Sequence, residues 1–319
     1  QKISCIMQKV FGPVPSRRLG KSIGVNNIPP KICTYSCIYC QIGKAIKMTS
    51  ARQSFYPPEE LVSEVAEKVS ICNVNKEKVD YITLVPDGEP TLDENIEELI
   101  RLLRQFNIPV AVITNASLLH LEEVRTELSC ADYVSVKIDS IDETIWKKIN
   151  KPVKSIYLKE ILDGVKTFSS FYKGTLTTET MLLDQKNDSP GELRELAEFI
   201  SKISPQTAYL AVPTRPPAFE TAIPANENSL NIAYQIFSEK IQHVEYLTGY
   251  EGNAFSASGN TEKDILSITA VHPMRSDAIA ELAKKNNSGL DVVESLIDKG
   301  LIRKTSFKGN TFYVRTIKK

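Results

Sequence analysis

Three cysteines fall within eight residues near the start of the chain: Cys33, Cys37 and Cys40, spaced C-x3-C-x2-C, with Tyr39 immediately before the last. Soft thiolates this close together favour an iron–sulfur cluster or zinc. A structural zinc site takes four protein ligands. No fourth Cys or His lies nearby: the other cysteines are Cys5, Cys72 and Cys130, and the first histidine is His120. Three thiolates on a [4Fe–4S] cube would leave one iron open to a substrate or cofactor. Cys5, Cys72 and Cys130 are not spaced for a second cluster, and Cys72 and Cys130 read as buried thiols. His120, His243 and His272 are far apart in sequence and read as non-ligands.

Further candidates follow the strand-like runs. Asp87-Gly88-Glu89-Pro90 is good turn material, yet a carboxylate there could also hold an ammonium group by a charge-assisted hydrogen bond. Thr114-Asn115-Ala116-Ser117 is either a polar strand exit or a partner for a carboxylate or ribose. Lys137 and Asp139 alternate with Val136 and Ile138, so they share one strand face, as ligand contacts or as an ion pair. Glu179 sits in an apolar strand and must face a cavity or be paired. Arg17, Arg18 and Arg215 carry guanidinium forks suited to carboxylates and phosphates, or to internal ion pairs.

These residues need elements to hold them. Strands are expected at 21–26, 81–85, 110–114, 133–138, 176–183 and 208–212, with helices at 58–74, 92–106, 143–149, 156–170 and 191–203. Pro57-Pro58 suits a helix entry, and Asp93 is a candidate cap for the second helix. Strands alternating with helices imply right-handed βαβ units and a parallel sheet. Six such units make a partial (β/α)6 TIM-like barrel, with chemistry at the C-terminal strand ends. The cysteine loop follows the first strand and belongs at that face. Beyond Pro217 a helix is expected at 226–239 and a short strand at 244–247, then a Gly/Ser/Asn-rich linker at 249–260. Helices at 262–270, 276–284 and 289–299 with strands at 301–304 and 311–315 describe a C-terminal winged-helix domain. The domains are therefore 1–255 and 261–319.

The cysteine triplet, with its aromatic residue before the third thiol, resembles the radical S-adenosylmethionine (SAM) superfamily. In that superfamily the open iron chelates the amino and carboxylate groups of SAM. An electron from the cluster splits the sulfonium, and the 5′-deoxyadenosyl radical abstracts hydrogen from a substrate. The resemblance implies Cys33, Cys37 and Cys40 as ligands of a [4Fe–4S] cluster, with Tyr39 against the adenine. It implies Gly88 and Glu89 at the SAM amino group, although Asp87 replaces the first Gly of the usual motif. It implies Asn115, Lys137 and Asp139 as further SAM contacts, with Ala116 where many members have Gly. Arg17, Arg18, Glu179 and Arg215 are left as substrate-binding candidates. Gly12–Gly20, Pro86–Leu92 and Pro213–Pro217 look like an uncharacterised branch of Fe–S oxidoreductases, distantly similar to the wyosine-forming tRNA enzymes, over about residues 10–255.

The resemblance also implies an external electron donor of ferredoxin or flavodoxin type. The tail from Thr261 holds 11 Lys/Arg against 7 Asp/Glu, which suits an RNA grip, a peptide dock or a structural appendage. A rival reading is a redox-sensing, nucleic-acid-binding protein in which the cluster only switches the tail. Lys plus Arg and Asp plus Glu both number 39, so no global field draws the protein to nucleic acid or membrane. No apolar run reaches membrane-spanning length and no apolar leader opens the chain. Half the cysteines are clustered, which argues against a disulfide framework and for a reducing, cytoplasmic setting.

Overall fold

The computed structural model describes residues 9–248, 255, 257, 259–271 and 273–316. Cys5, His272 and most of the expected linker lie outside them. The chain opens with a hairpin of β1 (Val10–Ser16) and β2 (Gly20–Val25), then two short strands, β3 (Ile32–Cys33) and β4 (Lys47–Met48). There follow α1 (Pro58–Val74), β5 (Tyr81–Leu84), α2 (Ile96–Leu103), β6 (Val110–Thr114), α3 (Glu122–Leu128) and β7 (Tyr133–Lys137). Next come α4 (Glu143–Asn150), α5 (Leu158–Phe171), β8 (Thr175–Met181), α6 (Pro190–Ile203), β9 (Thr207–Ala211), α7 (Glu227–Ser238) and β10 (Val244–Leu247).

One sheet runs β1-β2-β5-β6-β7-β8-β9-β10. Only the β1–β2 pair is antiparallel; every later pair is parallel, and the sheet curls into a half-barrel. The six expected strands pair in chain order, and β10 extends them. Helix entries follow the local chemistry. Pro58 opens α1 with Glu59 and Glu60 in its first turn. Asp142 caps α4 by accepting from the Ile145 N–H at 2.8 Å.

The two faces of the sheet differ. Ile23, Ile82, Leu84, Val112, Val134 and Leu210 point to the helices and are fully buried. Each such side chain contributes about 1.5–3 kcal/mol. The concave face is polar: Ser22 bonds Thr83, and Thr177 donates to the Tyr133 hydroxyl at 2.8 Å. Lys137 and Glu179 share that face. The alternation of strand residues thus puts a greasy layer outside and a hydrogen-bonding cavity inside.

Three expectations change. The helix at 92–106 is broken into a 3₁₀ turn at Pro90–Leu92, α2, and a second 3₁₀ turn at Arg104–Phe106. Asp93 is extended and does not cap α2. Its carboxylate instead accepts from the Asn95 N–H and from Asn27 Nδ2, both at 3.1 Å, tying the turn to the loop after β2. β1 and α3 were not expected. β1 is interrupted by Gly12-Pro13 and a register shift, and only its pairing with β2 makes it a strand.

The last segment comprises α8 (Thr261–Val271), β11 (Met274–Arg275), α9 (Ser276–Lys285), α10 (Asp291–Asp298), β12 (Ile302–Phe307) and β13 (Asn310–Arg315). Its antiparallel sheet runs β11-β13-β12. Phe255, Ile265, Met274, Leu282, Leu296 and Ile302 form its own buried cluster, against which Val14 of β1 packs. Among the described residues no helix is long and apolar enough to cross a membrane.

Candidate functional site

The cysteine loop runs from the C-terminal end of β2 and is clamped on two sides. On one side, the Glu89 N–H donates to the Ile32 carbonyl at 3.2 Å and the Lys31 N–H to the Asp87 carbonyl at 2.5 Å. Gly88 is required here: a Cβ would stand 1.9 Å from the Ile32 oxygen. On the other side, the Ser36 N–H donates to the Asn150 carbonyl at 3.0 Å and the Ile38 N–H to the Ile149 carbonyl at 2.9 Å. The end of α4 therefore holds the middle of the loop.

Cys33, Cys37 and Cys40 are half-buried and carry free thiols. Burial pushes the Cys33 thiol well above its ordinary value, and the Cys37 thiol up to about 12 with Asp139 adding to the effect. Burial raises Cys40 as well. Two amides point at these sulfurs: Asn115 Nδ2 lies 3.6 Å from Cys33 Sγ, and Asn150 Nδ2 lies 3.4 Å from Cys37 Sγ.

Glu89 is 1% exposed and its carboxylate is heavily used. Oε1 accepts from the Thr114 and Thr91 hydroxyls, each at 2.6 Å, and Oε2 accepts from the Asn115 N–H at 2.8 Å. Burial still raises its pKa despite these donors. It braces the ends of β5 and β6 against each other. Asn115 reaches on to Thr34 Oγ1 at 2.8 Å, and the Ser117 hydroxyl donates to the same oxygen at 2.7 Å.

A second network starts at Asp139, at the end of β7. It accepts from the Tyr39 hydroxyl, from Asn150 Nδ2 at 2.7 Å and from the Met181 N–H at 2.9 Å. Burial raises its pKa, offset in part by Lys137. The Tyr39 ring packs with Ile38, Ile149, Leu183 and Ala222, and the Lys137 ammonium lies 5.0 Å from its centroid. Lys137 pairs with Glu179 Oε1 at 2.8 Å, and Arg18 pairs with Oε2 of the same carboxylate. Burial alone would raise Glu179, but Arg18 and Lys137 outweigh it and hold the carboxyl down to about 2. Burial also works against the charge of Lys137, yet Glu179 and Asp139 carry its pKa above the ordinary value.

The structure thus gathers Tyr39, Gly88, Glu89, Asn115, Lys137 and Asp139 around the thiols and links Glu179 to them through Lys137. Arg18 joins from below, from the turn between β1 and β2. Arg17 does not: it is exposed on that turn, at the opposite end of β2 from the cysteine loop. Arg215 is buried and donates to Gln41 Oε1 at 2.9 Å, just past Cys40. Cys72 is buried on α1, away from the triplet in sequence and element. Sequence reasoning missed Asn150 and Thr34. Thr34 lies inside the cysteine motif and its position was a signal; Asn150 carried none. Asp87 was noted only as a departure from a motif. It is 3% exposed, and its Oδ1 has no hydrogen-bond partner among the described residues.

Residues 27–200 match the Radical SAM superfamily profile. This chain belongs to the radical SAM superfamily. It is 44% identical over 314 residues to a UPF0026 protein of Methanocaldococcus jannaschii, spanning 98% of this chain and 97% of that one. It is 25% identical over 177 residues to a probable GTP 3′,8-cyclase of Pyrococcus horikoshii, covering 54% of this chain and 51% of the relative. A structure of TYW1 with a lysine–pyruvate adduct bound has the same fold, with a TM-score of 0.53 at 17% identity over 69% of this chain and 74% of that one. Membership implies an iron–sulfur cluster, SAM and an electron donor.

The residues fit such a group. The sulfurs are met by amide donors, as cluster sulfurs commonly are. The orphaned Asp87 oxygen is suited to a cationic partner such as an ammonium group.

Proposed function

We propose that this protein is a radical SAM enzyme in which Cys33, Cys37 and Cys40 hold a [4Fe–4S] cluster at the mouth of the half-barrel. The reading is carried by one observation: a loop with three half-buried thiols and no fourth is clamped between the Glu89–Asn115 and Asn150–Asp139 networks. When bound and reduced by a ferredoxin- or flavodoxin-type donor, the cluster and SAM supply hydrogen abstraction from a substrate.

The chain's own groups supply binding and orientation. Gly88 lets the loop approach the β5 end, leaving the Asp87 carboxylate for the SAM amino group. Glu89 fixes Asn115, whose amide then faces both Cys33 and the cavity. Lys137 and Asp139 offer opposite charges for SAM carboxylate and ribose, and Tyr39 is held beside them by Asp139. Arg18 and Glu179 close the bottom of the cavity and limit water from that side. Arg215 fixes Gln41 behind Cys40. Residues 261–319 act as a winged-helix-like domain on the 1–255 barrel and present substrate. Free thiols suit a cytoplasmic setting.

Anaerobic reconstitution tests this. Protein incubated with dithionite and SAM should release 5′-deoxyadenosine, and Cys37→Ala should lose both the cluster absorbance and that product. An intact cluster without SAM cleavage would favour a redox sensor. A zinc ion alone, or a protein ligand on every iron, would overturn the assignment.

A further inference from the structure

The first 58 residues contain nine Lys/Arg and no Asp or Glu, in a chain of zero formal charge. Elsewhere along this stretch the fold brings in carboxylates: Lys9 meets Glu60 and Glu64, Arg18 meets Glu179, and Arg52 meets Glu127. Over the thiols it does not. Lys44 and Lys47 are exposed on the loop leaving Cys40, and Lys151 and Lys154 are exposed just past α4. The two segments form one rim. The Val153 N–H donates to the Thr34 carbonyl at 2.9 Å, and the Ser50 and Ser155 hydroxyls meet at 2.6 Å. Lys44 and Lys151 stand 4.5 and 5.4 Å from the centroid of the same ring, Phe219. The Phe219 N–H is itself bonded to the Ile38 carbonyl at 3.0 Å. Among the described residues none of the four ammonium groups lies within ion-pair distance of a carboxylate. Glu220, beside Phe219 in sequence, is the nearest acid along that segment. Gathering like charges at one mouth costs self-repulsion, which an anion relieves.

We infer that this rim docks an unpaired segment of nucleic acid and delivers one nucleotide to the cavity. The inference rests on the Cys33–Cys40 loop being the reaction centre. Lys44, Ile46, Lys47 and Met48 alternate cation with apolar surface, and Ile46 and Met48 are 55% and 40% exposed. That alternation matches a strand that alternates phosphates with flat, apolar-faced bases. A paired duplex would first have to unpair and unstack a base to feed it into a recessed cavity, whereas an unpaired strand presents its bases already free.

The test uses the full-length, cluster-loaded protein and fluorescence anisotropy with labelled oligouridylate and bulk tRNA. Both should bind at about 50 mM salt, with affinity falling steeply as salt rises. Lys44→Glu combined with Lys151→Glu should weaken binding about tenfold or more and reduce the log–log salt slope by about 1.4, at roughly 0.7 per single-strand phosphate contact. Uncoupled SAM cleavage by that variant should equal the parent's. Three results would overturn the inference: no binding at low salt, a variant that binds as the parent does, or polyglutamate competing as well as oligouridylate. A parent that binds RNA but forms no cluster would instead overturn the reaction-centre reading, and the delivery role with it.

Discussion

Asn150 Nδ2 lies 3.4 Å from Cys37 Sγ and 2.7 Å from Asp139 Oδ2, so one amide at the end of α4 joins a thiol to a buried carboxylate. An N–H donor at a cluster sulfur favours the more negative, reduced state. With the cluster loaded, Asn150→Ala should keep its iron content but become harder to reduce. The expected shift is about tenfold in the reduced-to-oxidised ratio, about 59 mV for one electron. Spectroelectrochemical titration checks this; an unchanged midpoint in a fully loaded variant would show that the contact is only structural.

Gly88 separates packing from chemistry. Gly88→Ala forces a methyl group into the Ile32 carbonyl, so the cysteine loop must move. Such overpacking costs about 1–3 kcal/mol, and iron per chain after reconstitution should fall. Gly191→Ala is the control: nothing lies within 4 Å of its added Cβ. It should stabilise the protein by about 0.4–1 kcal/mol without changing iron content. Urea unfolding and iron assay of both variants give the comparison.

The Glu179 carboxyl is held at about 2 against an ordinary value of 4.5. A depressed carboxylate adds stability that is complete above the unfolded-state value and disappears as pH falls through the folded-state value. The Glu179 contribution should therefore be full at neutral pH and fade between roughly pH 4.5 and 2. Glu179→Gln leaves Arg18 and Lys137 without their shared carboxylate and should cost about 3–5 kcal/mol at neutral pH. The gap between parent and variant in urea unfolding should shrink as the medium is acidified. A gap that widens toward acid would contradict the charge assignment.

The terminal segment is expected to serve substrate rather than the cluster, but it is not a loose appendage. α8 packs on β1, and Val14 of that strand packs against its core. Deleting the residues after Ser258 should lower the melting temperature of the barrel while leaving uncoupled SAM cleavage within about twofold. Action on the true substrate should be lost. Loss of cluster loading in the truncated protein would make the segment part of the catalytic core.

The strand runs at 81–85 and 110–114 were legible because β-branched residues occur in short blocks between helix signals, and β5 and β6 fall on them. The break at Asp93 was not, since helical periodicity runs through it. There Asp93 is extended between the 3₁₀ turn and α2, and its carboxylate accepts from Asn27, 66 residues away. β1 was illegible for a similar reason: Gly12 and Pro13 argue against a strand, and only β2 recruits it.

At the site, residue type and spacing marked Cys33, Cys37 and Cys40, because thiol chemistry is local, whereas Glu89 read equally as turn material and was singled out by the resemblance to the radical SAM motif. Where a charge ends up in the fold depends on what stands opposite it. Arg17 and Arg18 are neighbours in sequence, yet one is exposed and the other is bound to Glu179 across the cavity. Lys44 and Lys151 are more than a hundred residues apart and meet over one ring. Pair energies fall with distance through space, and only the packed chain decides which distances are short.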